Sequence, residues 1–268
     1  ARSWEMTAGV RYDKYTDFGS TINPRAALVW EARYDLTTKL LYGQAFRAPS
    51  FADLYNKNNA MAEGTENLKP EEIKTYELVF DYQPHANLRT IANLFFYKAD
   101  KLIEFRPPVP QKAANYGKQE ARGIELEMDW EITDSLRLRS NFAYLHAINK
   151  KTDAKVHDAP QKQFYLNPHW QFLPDWHLDG ALFWIADRHR EPDDPRAEIE
   201  DYTQVNFNLR KKNIFKHWEA AVGIRNLFNH NIRESSPYDA TAGTLGAFIP
   251  NDYPMEGRSI WGEVRCKY

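Results

Sequence analysis

Apolar and polar residues alternate with a period of two along most of the chain, the pattern of strands with one apolar and one wetted face. In GIELEMDWEI, Ile124, Leu126, Met128 and Trp130 share a face. Glu125, Glu127, Asp129 and Glu131 share the other. A row of acids cannot sit unpaired in a dry interior, so this second face needs water. The next run, LRLRSNFAYLH, sets Leu136, Leu138, Phe142 and Tyr144 against Arg137, Arg139 and Asn141. Only Thr133, Asp134 and Ser135 separate the two runs, so a tight turn joins them as a hairpin. The acids and arginines then meet on one polar face.

The same reading predicts about twelve antiparallel strands, near 2–14, 24–35, 38–47, 71–83, 87–105, 116–132, 135–148, 161–172, 176–188, 201–212, 217–230 and 257–268. Most exceed the ~5–6 residues usual for a soluble strand and reach the ~9–11 of a tilted membrane strand. Connections alternate. Short turns are expected at 35–38, 83–86, 133–135, 173–175 and 213–216, and long loops at 16–23, 49–70, 106–115, 149–160, 189–200 and 231–256. Short turns at one end and long loops at the other are the asymmetry of outer-membrane barrels. Tyr34, Tyr82, Trp130, Trp170, Trp176, Trp218 and Trp261 fall toward strand ends, where amphipathic rings suit a membrane interface. Pro49 stops one strand just after Arg47, because proline cannot donate to a ladder.

Composition narrows the picture. Mean hydropathy is −0.69 and no run approaches the ~20 apolar residues of a membrane helix, but alternating barrel strands average out as polar. A net charge of −2 gives no basic stripe for nucleic acid. Cys266 is the single cysteine, so no internal disulfide forms. His85, His157, His189 and His230 show no metal-ligand spacing, and Asp193 with Asp194 lacks the acidic ladder of a calcium loop. No nucleophile sits near a base: Ser140 and His146 share a face but stand roughly 20 Å apart along a strand. The chain opens in mid-strand, which predicts a mature segment or a fragment of something longer.

Five stretches carry a resemblance. FRAPSFADLY at 46–55, ENLKPEEIKTYEL at 66–78, NPRAALVW at 23–30, VGIRNLFNHN at 222–231 and PMEGRSIWGEVRCKY at 254–268 resemble the barrel of TonB-dependent outer-membrane receptors, in family order and spacing. The resemblance implies an all-β fold: an antiparallel transmembrane β-barrel of which residues 1–268 supply the C-terminal part, about twelve of 22 strands. The plug, the TonB box and the first strands are absent from the segment. It implies short periplasmic turns, long extracellular loops and a periplasmic C-terminus. Tyr268 would serve as the tail recognised by the barrel-assembly machinery.

Function follows as an expectation: TonB-dependent uptake of a scarce nutrient chelate across the bacterial outer membrane, without enzymatic chemistry and without a cofactor. Expected partners are the chelate, membrane lipid and the TonB complex acting through the missing plug. Arginine and tyrosine suit anionic, aromatic iron chelates through charge-assisted bonds and stacking. The loop candidates are Arg47, Tyr55, Asn58, Arg106, Tyr116, Arg188, Arg190, Arg233 and Tyr238. Glu125, Glu127, Asp129, Arg137 and Arg139 are expected to line the lumen. Haem receptors of the family carry a histidine between FRAP and NPNL. Here 50–65 holds none and NPNL is replaced by TENL, which points toward a ferric siderophore. The alternatives are a stand-alone twelve-stranded pore, a membrane-embedded hydrolase and, less well matched, a soluble β-sandwich.

Overall fold

The computed structural model describes residues 3–157, 159–192, 194–238 and 249–267. It is almost entirely antiparallel sheet. The long strands are β1 (Trp4–Tyr15), β2 (Gly19–Arg33), β3 (Leu36–Arg47), β5 (Glu71–His85), β6 (Leu88–Arg106), β7 (Gln111–Thr133), β8 (Leu136–Asn149), β9 (Lys162–Leu173), β10 (Trp176–Ala186), β11 (Tyr202–Ile214), β12 (Trp218–Arg225) and β15 (Ser259–Cys266). They pair in chain order. These are the twelve strands expected from the alternation. Three two-residue strands, β4 (Ala62–Glu63), β13 (Arg233–Glu234) and β14 (Tyr253–Pro254), and a one-turn helix, α1 (Phe51–Tyr55), complete the order. Tyr268 and Asp193 lie outside the described residues.

The chain divides into two compact units: Ala1–Asp81 with Asn93–Ile124 and His146–Lys155, and Tyr82–Ala92 with Glu125–Leu145 and Val156–Tyr268. In the first, cross-strand register sorts the side chains into rows, because directly paired residues point the same way. Trp4, Trp30 and Thr38 form one row, Met6, Leu28 and Leu40 the next, then Ala8, Ala26 and Tyr42. The face is apolar yet uncovered by protein, with Met6 74% exposed. Aromatic rings continue it: Trp4 stacks on Trp30 with centroids 5.0 Å apart, and Tyr42, Tyr76 and Phe96 follow one another at 5.1 and 6.3 Å. The reverse face carries Glu5, Arg11, Asp13, Arg25 and Lys39.

The second unit repeats the sorting across six strands. One row runs Leu136, Trp170, Leu178, Leu209, Val222, Gly262, and the adjacent row runs Arg137, His169, Asp179, Asn208, Gly223, Trp261. The first is apolar and the second polar, so one residue of register separates two environments. Trp261 therefore does not join the interfacial aromatics expected of it. It ends the polar row and lies over Gly223, where an added Cβ would come within 2.3 Å of its ring. Ile260, 72% exposed, occupies the apolar face in its place.

Two loops expected to be long are short. β1 and β2 pair down to Tyr15 and Gly19, so only residues 16–18 turn, aided by the positive φ of Gly19 (+91°) and by Tyr15 stacking on Phe18 at 4.4 Å. Residues 19–23 looked like loop because Gly19, Ser20, Thr21 and Asn23 are small or polar, but extended pairing satisfies their backbones equally well. Likewise β7 starts at Gln111, leaving 107–110 as the β6–β7 turn.

Residues 48–70, between β3 and β5, are built rather than slack. Ser50 caps α1, accepting from the Asp53 N–H (3.1 Å), while Asp53 Oδ2 accepts from the Ser50 N–H (2.9 Å). Leu54 and Leu68 bury against Ala113 and Ile103, a small hydrophobic cluster under the segment. Gly64 passes so close to Leu54 that a Cβ would come within 2.7 Å of its backbone. β4 then pairs in parallel with the start of β7.

Candidate functional site

The nine loop candidates fall into two sets. The first set is consumed in holding the protein together. Arg47, at the end of β3, forks onto Glu71 with Nε–Oε2 of 2.5 Å and Nη2–Oε1 of 2.6 Å, and stands 3.7 Å from Asp53. Glu71 also accepts from the Ile103 N–H at 2.7 Å. A bidentate, charge-assisted fork of this kind fixes direction as well as distance. It joins the ends of β3 and β5 across the base of segment 48–70.

Arg188 and Arg190 do the same for the loop after β10. Arg188 is buried; it donates to the Arg233 carbonyl (2.8 Å) and to the Glu200 carbonyl, and lies 5.0 Å above the Tyr202 ring. Arg190 forks onto Asp252, with Nη1–Oδ1 of 2.8 Å and Nη2–Oδ2 of 2.5 Å. Arg196 donates to the same Asp252 Oδ1 at 2.9 Å and to Asp194 Oδ2 at 2.5 Å. The Ser236 N–H supplies another donor to Asp252 at 3.1 Å. One carboxylate thus ties segment 187–201 to the loop between β12 and β15. The Arg190 hydrogen bonds, together with the Ser236 N–H and both guanidinium charges, outweigh burial and hold the Asp252 carboxyl at about 2. The fork from Arg196 likewise holds Asp194 below the usual carboxylate range, so Asp194 is taken up by arginine. Beside the lock opens a polar cavity of about 370 Å³, with Arg188, Glu198, Tyr202 and Arg233 in its wall. Arg233 also donates to the Asn251 carbonyl at 2.6 Å.

The second set, Arg106, Tyr116, Tyr55, Asn58 and Tyr238, is exposed apart from Tyr238. Arg106 lies 3.9 Å above the Tyr116 ring and Lys151 Nζ 5.1 Å from the same ring, so two cations share one aromatic. Tyr55, at the end of α1, is exposed beside Phe51 at 6.2 Å. Asn58 is exposed at a positive φ of 59°. Tyr238 is half-buried.

Of the residues expected to line a lumen, Arg137 forks onto Asp129 at 2.7 and 2.5 Å, and Arg139 Nε approaches the same carboxylate at 3.5 Å. Glu127, Asp129 and Arg139 border a shallow recess of about 280 Å³ with Arg89 and Tyr165. Glu125 lies on the same strand and face. Sequence reasoning missed Glu71, Arg196, Ser236 and Asp252, and weighed Asp194 only as a calcium ligand. Asp252 is 62 residues from Arg190, and nothing local joins them.

A strand-rich chain with an uncovered apolar face, a charged reverse face and structured loops defines a class of membrane β-structure, and the comparisons give it a family. Residues 2–227 match the TonB dependent receptor-like, beta-barrel family, to which the chain belongs. It is 27% identical over 210 residues to the vitamin B12 transporter BtuB of Photobacterium profundum, covering 76% of this chain and 33% of that protein. It is 21% identical over 267 residues to the metal-pseudopaline receptor CntO of Pseudomonas aeruginosa, covering 88% and 36%. The fold matches a mutant of the ferric enterobactin receptor of Pseudomonas aeruginosa with a TM-score of 0.80 at 19% identity, over 99% of this chain and 43% of that one. The chain spans about a third of the BtuB relative's length.

Proposed function

We propose that the chain is the C-terminal part of an outer-membrane receptor that takes up a metal chelate, with a ferric siderophore as cargo. The two-faced sheet carries this reading. Each large apolar side chain left in water forgoes about 1.5–3 kcal/mol. The exposed Met6, Val10, Ile22 and Leu40 of the first unit, and the exposed Val222, Ile260 and Val264 of the second, each call for lipid as their solvent. The charged reverse face faces the lumen, where a plug outside this segment would meet Glu125, Glu127, Asp129, Arg137 and Arg139. The C-terminus is periplasmic in this reading, which sets the longer connections outside the cell. TonB acts through the plug, and the assembly machinery reads Tyr268.

Support for an anionic, aromatic chelate comes from Arg106, Tyr116 and Lys151, where ring stacking and two cations meet. Tyr55 and Asn58 are further exposed candidates in the same unit. Arg47, Arg188 and Arg190 act as loop ties instead of ligand contacts. A relative that transports vitamin B12 makes a corrinoid the competing cargo.

The test is uptake by cells carrying the full-length gene, with and without TonB. Radiolabelled iron delivered as a catecholate chelate should accumulate only with both. Accumulation of labelled corrinoid without iron reassigns the cargo. Ion conductance with no TonB-dependent uptake of either overturns the receptor reading.

A further inference from the structure

Two histidines of the second unit take no part in the loop ties or the chelate surface. His169 of β9 and His177 of β10 lie on the polar face, in a register that sets Asp179 opposite His169 and Arg210 opposite His177. Asp179 Oδ1 is 2.5 Å from His169 Nδ1. With Nδ1–H donating to that carboxylate, the lone pair of the ring sits on Nε2. Asn208 donates to the other carboxylate oxygen at 3.4 Å. His177 is 8% exposed, and its Nδ1 is buried with no hydrogen-bond partner among the described residues. The two rings stack with centroids 5.4 Å apart and planes 24° from parallel.

An imidazole whose Nδ1–H is held by a carboxylate has its ring fixed and its Nε2 made more basic, which is the support that ligating histidines use. Two imidazole nitrogens about 2.0–2.1 Å from one tetrahedral metal put their ring centroids about 5.2 Å apart. The observed separation is 5.4 Å. The centroid of a histidine ring lies near its Cβ–Cγ axis, and χ2 is a broad torsion. His177 can therefore aim a nitrogen at the shared point with little change in that distance. Among the described residues no group of three or more His, Cys, Asp and Glu side chains is placed to hold a metal ion. Water would complete the coordination of the two imidazoles, and the ion would exchange readily. Arg210 and Lys212 lie close enough to act on His177 electrostatically. Their charges work against hard cations such as Mg²⁺ and Ca²⁺, which rely on charge and oxygen ligands. Imidazole favours Cu²⁺, Ni²⁺ or Zn²⁺ instead.

We propose that His169 and His177 chelate a divalent transition cation on the polar face of the sheet, near the short turn between β9 and β10. Cu²⁺ binds most tightly, as the order of divalent affinities requires. Asp179 is a positioning residue that holds the His169 ring and does not itself ligate. The site needs only a wetted face and does not rest on the cargo assigned above.

The full-length protein, purified in detergent without a polyhistidine tag, would be titrated with Cu²⁺ and read by calorimetry and electron paramagnetic resonance. Wild type should bind one Cu²⁺, lost in His169→Gln/His177→Gln, whose spectrum shows coupling to two imidazole nitrogens. His169 is 46% exposed, so His169→Gln alone keeps the packing and serves as the decisive variant should the double variant unfold. It should leave coupling to one nitrogen and weaken binding at least about tenfold, because the second contact of a chelate is intramolecular. Asp179→Asn should keep both nitrogens in the spectrum and weaken binding about ten- to a hundredfold at an unchanged melting temperature. A merely structural Asp179 would lower the melting temperature and leave affinity alone. Equal Cu²⁺ affinity in wild type and His169→Gln, a single-nitrogen spectrum in wild type, or full displacement by millimolar Mg²⁺ overturns the proposal.

Discussion

Asp252→Asn should free segment 187–201 from the loop between β12 and β15 while leaving the sheet intact. The amide keeps the shape of the carboxylate but presents an N–H₂ where Arg190 Nη2 now donates at 2.5 Å. It also removes the charge shared by Arg190 and Arg196. The side chains of Asp252, Arg190 and Asp194 are 9%, 7% and 2% exposed, so water replaces little of what is lost. The carboxyl lies at about 2 against an ordinary 3.8. At 1.36 kcal/mol per unit, that gap is worth about 2.4 kcal/mol, or roughly sixtyfold in a local opening equilibrium. Hydrogen exchange on the full-length protein in detergent should show backbone amides of 187–201 and 249–252 opening about that much faster, with β9 to β12 unchanged. The pH dependence has a definite sign. A depressed carboxyl contributes its full stability above the unfolded value and loses it as pH falls toward the folded one. Pepsin cleavage of these loops in wild type should therefore rise between pH 4 and pH 2, and the variant should be cut readily throughout. Unchanged exchange in the variant, or wild-type opening already at pH 6, would refute the assignment of the lock to Asp252.

Three further outcomes are expected. Arg47→Ala leaves the Glu71 carboxylate with the Ile103 N–H as its remaining donor; trypsin nicking within 48–70 should increase as about 1–3 kcal/mol of local stability is lost, and Arg47→Lys should fall between. Gly223→Val would push a side chain into Trp261, at a cost of about 1–3 kcal/mol in thermal unfolding measured in detergent, and Trp261→Leu in the same chain should relieve part of it; additive losses would show that the two do not touch. Met6→Arg, on the apolar face, should lower membrane assembly by about 2–4 kcal/mol if it lies near the midplane, whereas Glu5→Gln on the reverse face should assemble normally. Equal behaviour of these two variants would remove the basis for assigning lipid to one face.

Strand number, strand pairing order and the apolar and polar faces could be read from residues alone, because a period of two needs only neighbours in sequence. GIELEMDWEI and LRLRSNFAYLH announce their own hairpin, and the Asp129–Arg137 pair follows from the turn between them. Where the sequence misled, composition stood in for pairing. The mostly small and polar stretch at 19–23 is strand because β1 reaches it, and 111–115 is strand because β7 extends that far. Trp261 looked like an interfacial ring until register placed it beside Gly223. The family was legible too, since its motifs are local strings.

The candidate site was legible only as chemistry. Arginine and tyrosine in loops could be named, but whether each is spent or available depends on partners far along the chain. Glu71 meets Arg47 across 24 residues, and Asp252 meets Arg190 across 62. Likewise, no local pattern sets Phe96, Arg122 and Lys150 around one recess; three strands had to align first. Sequence periodicity determined which face of each strand is apolar, because that is decided one residue at a time. Tertiary structure alone decided which charges are neutralised, because a charge is settled by whatever side chain the fold brings within a few ångströms of it.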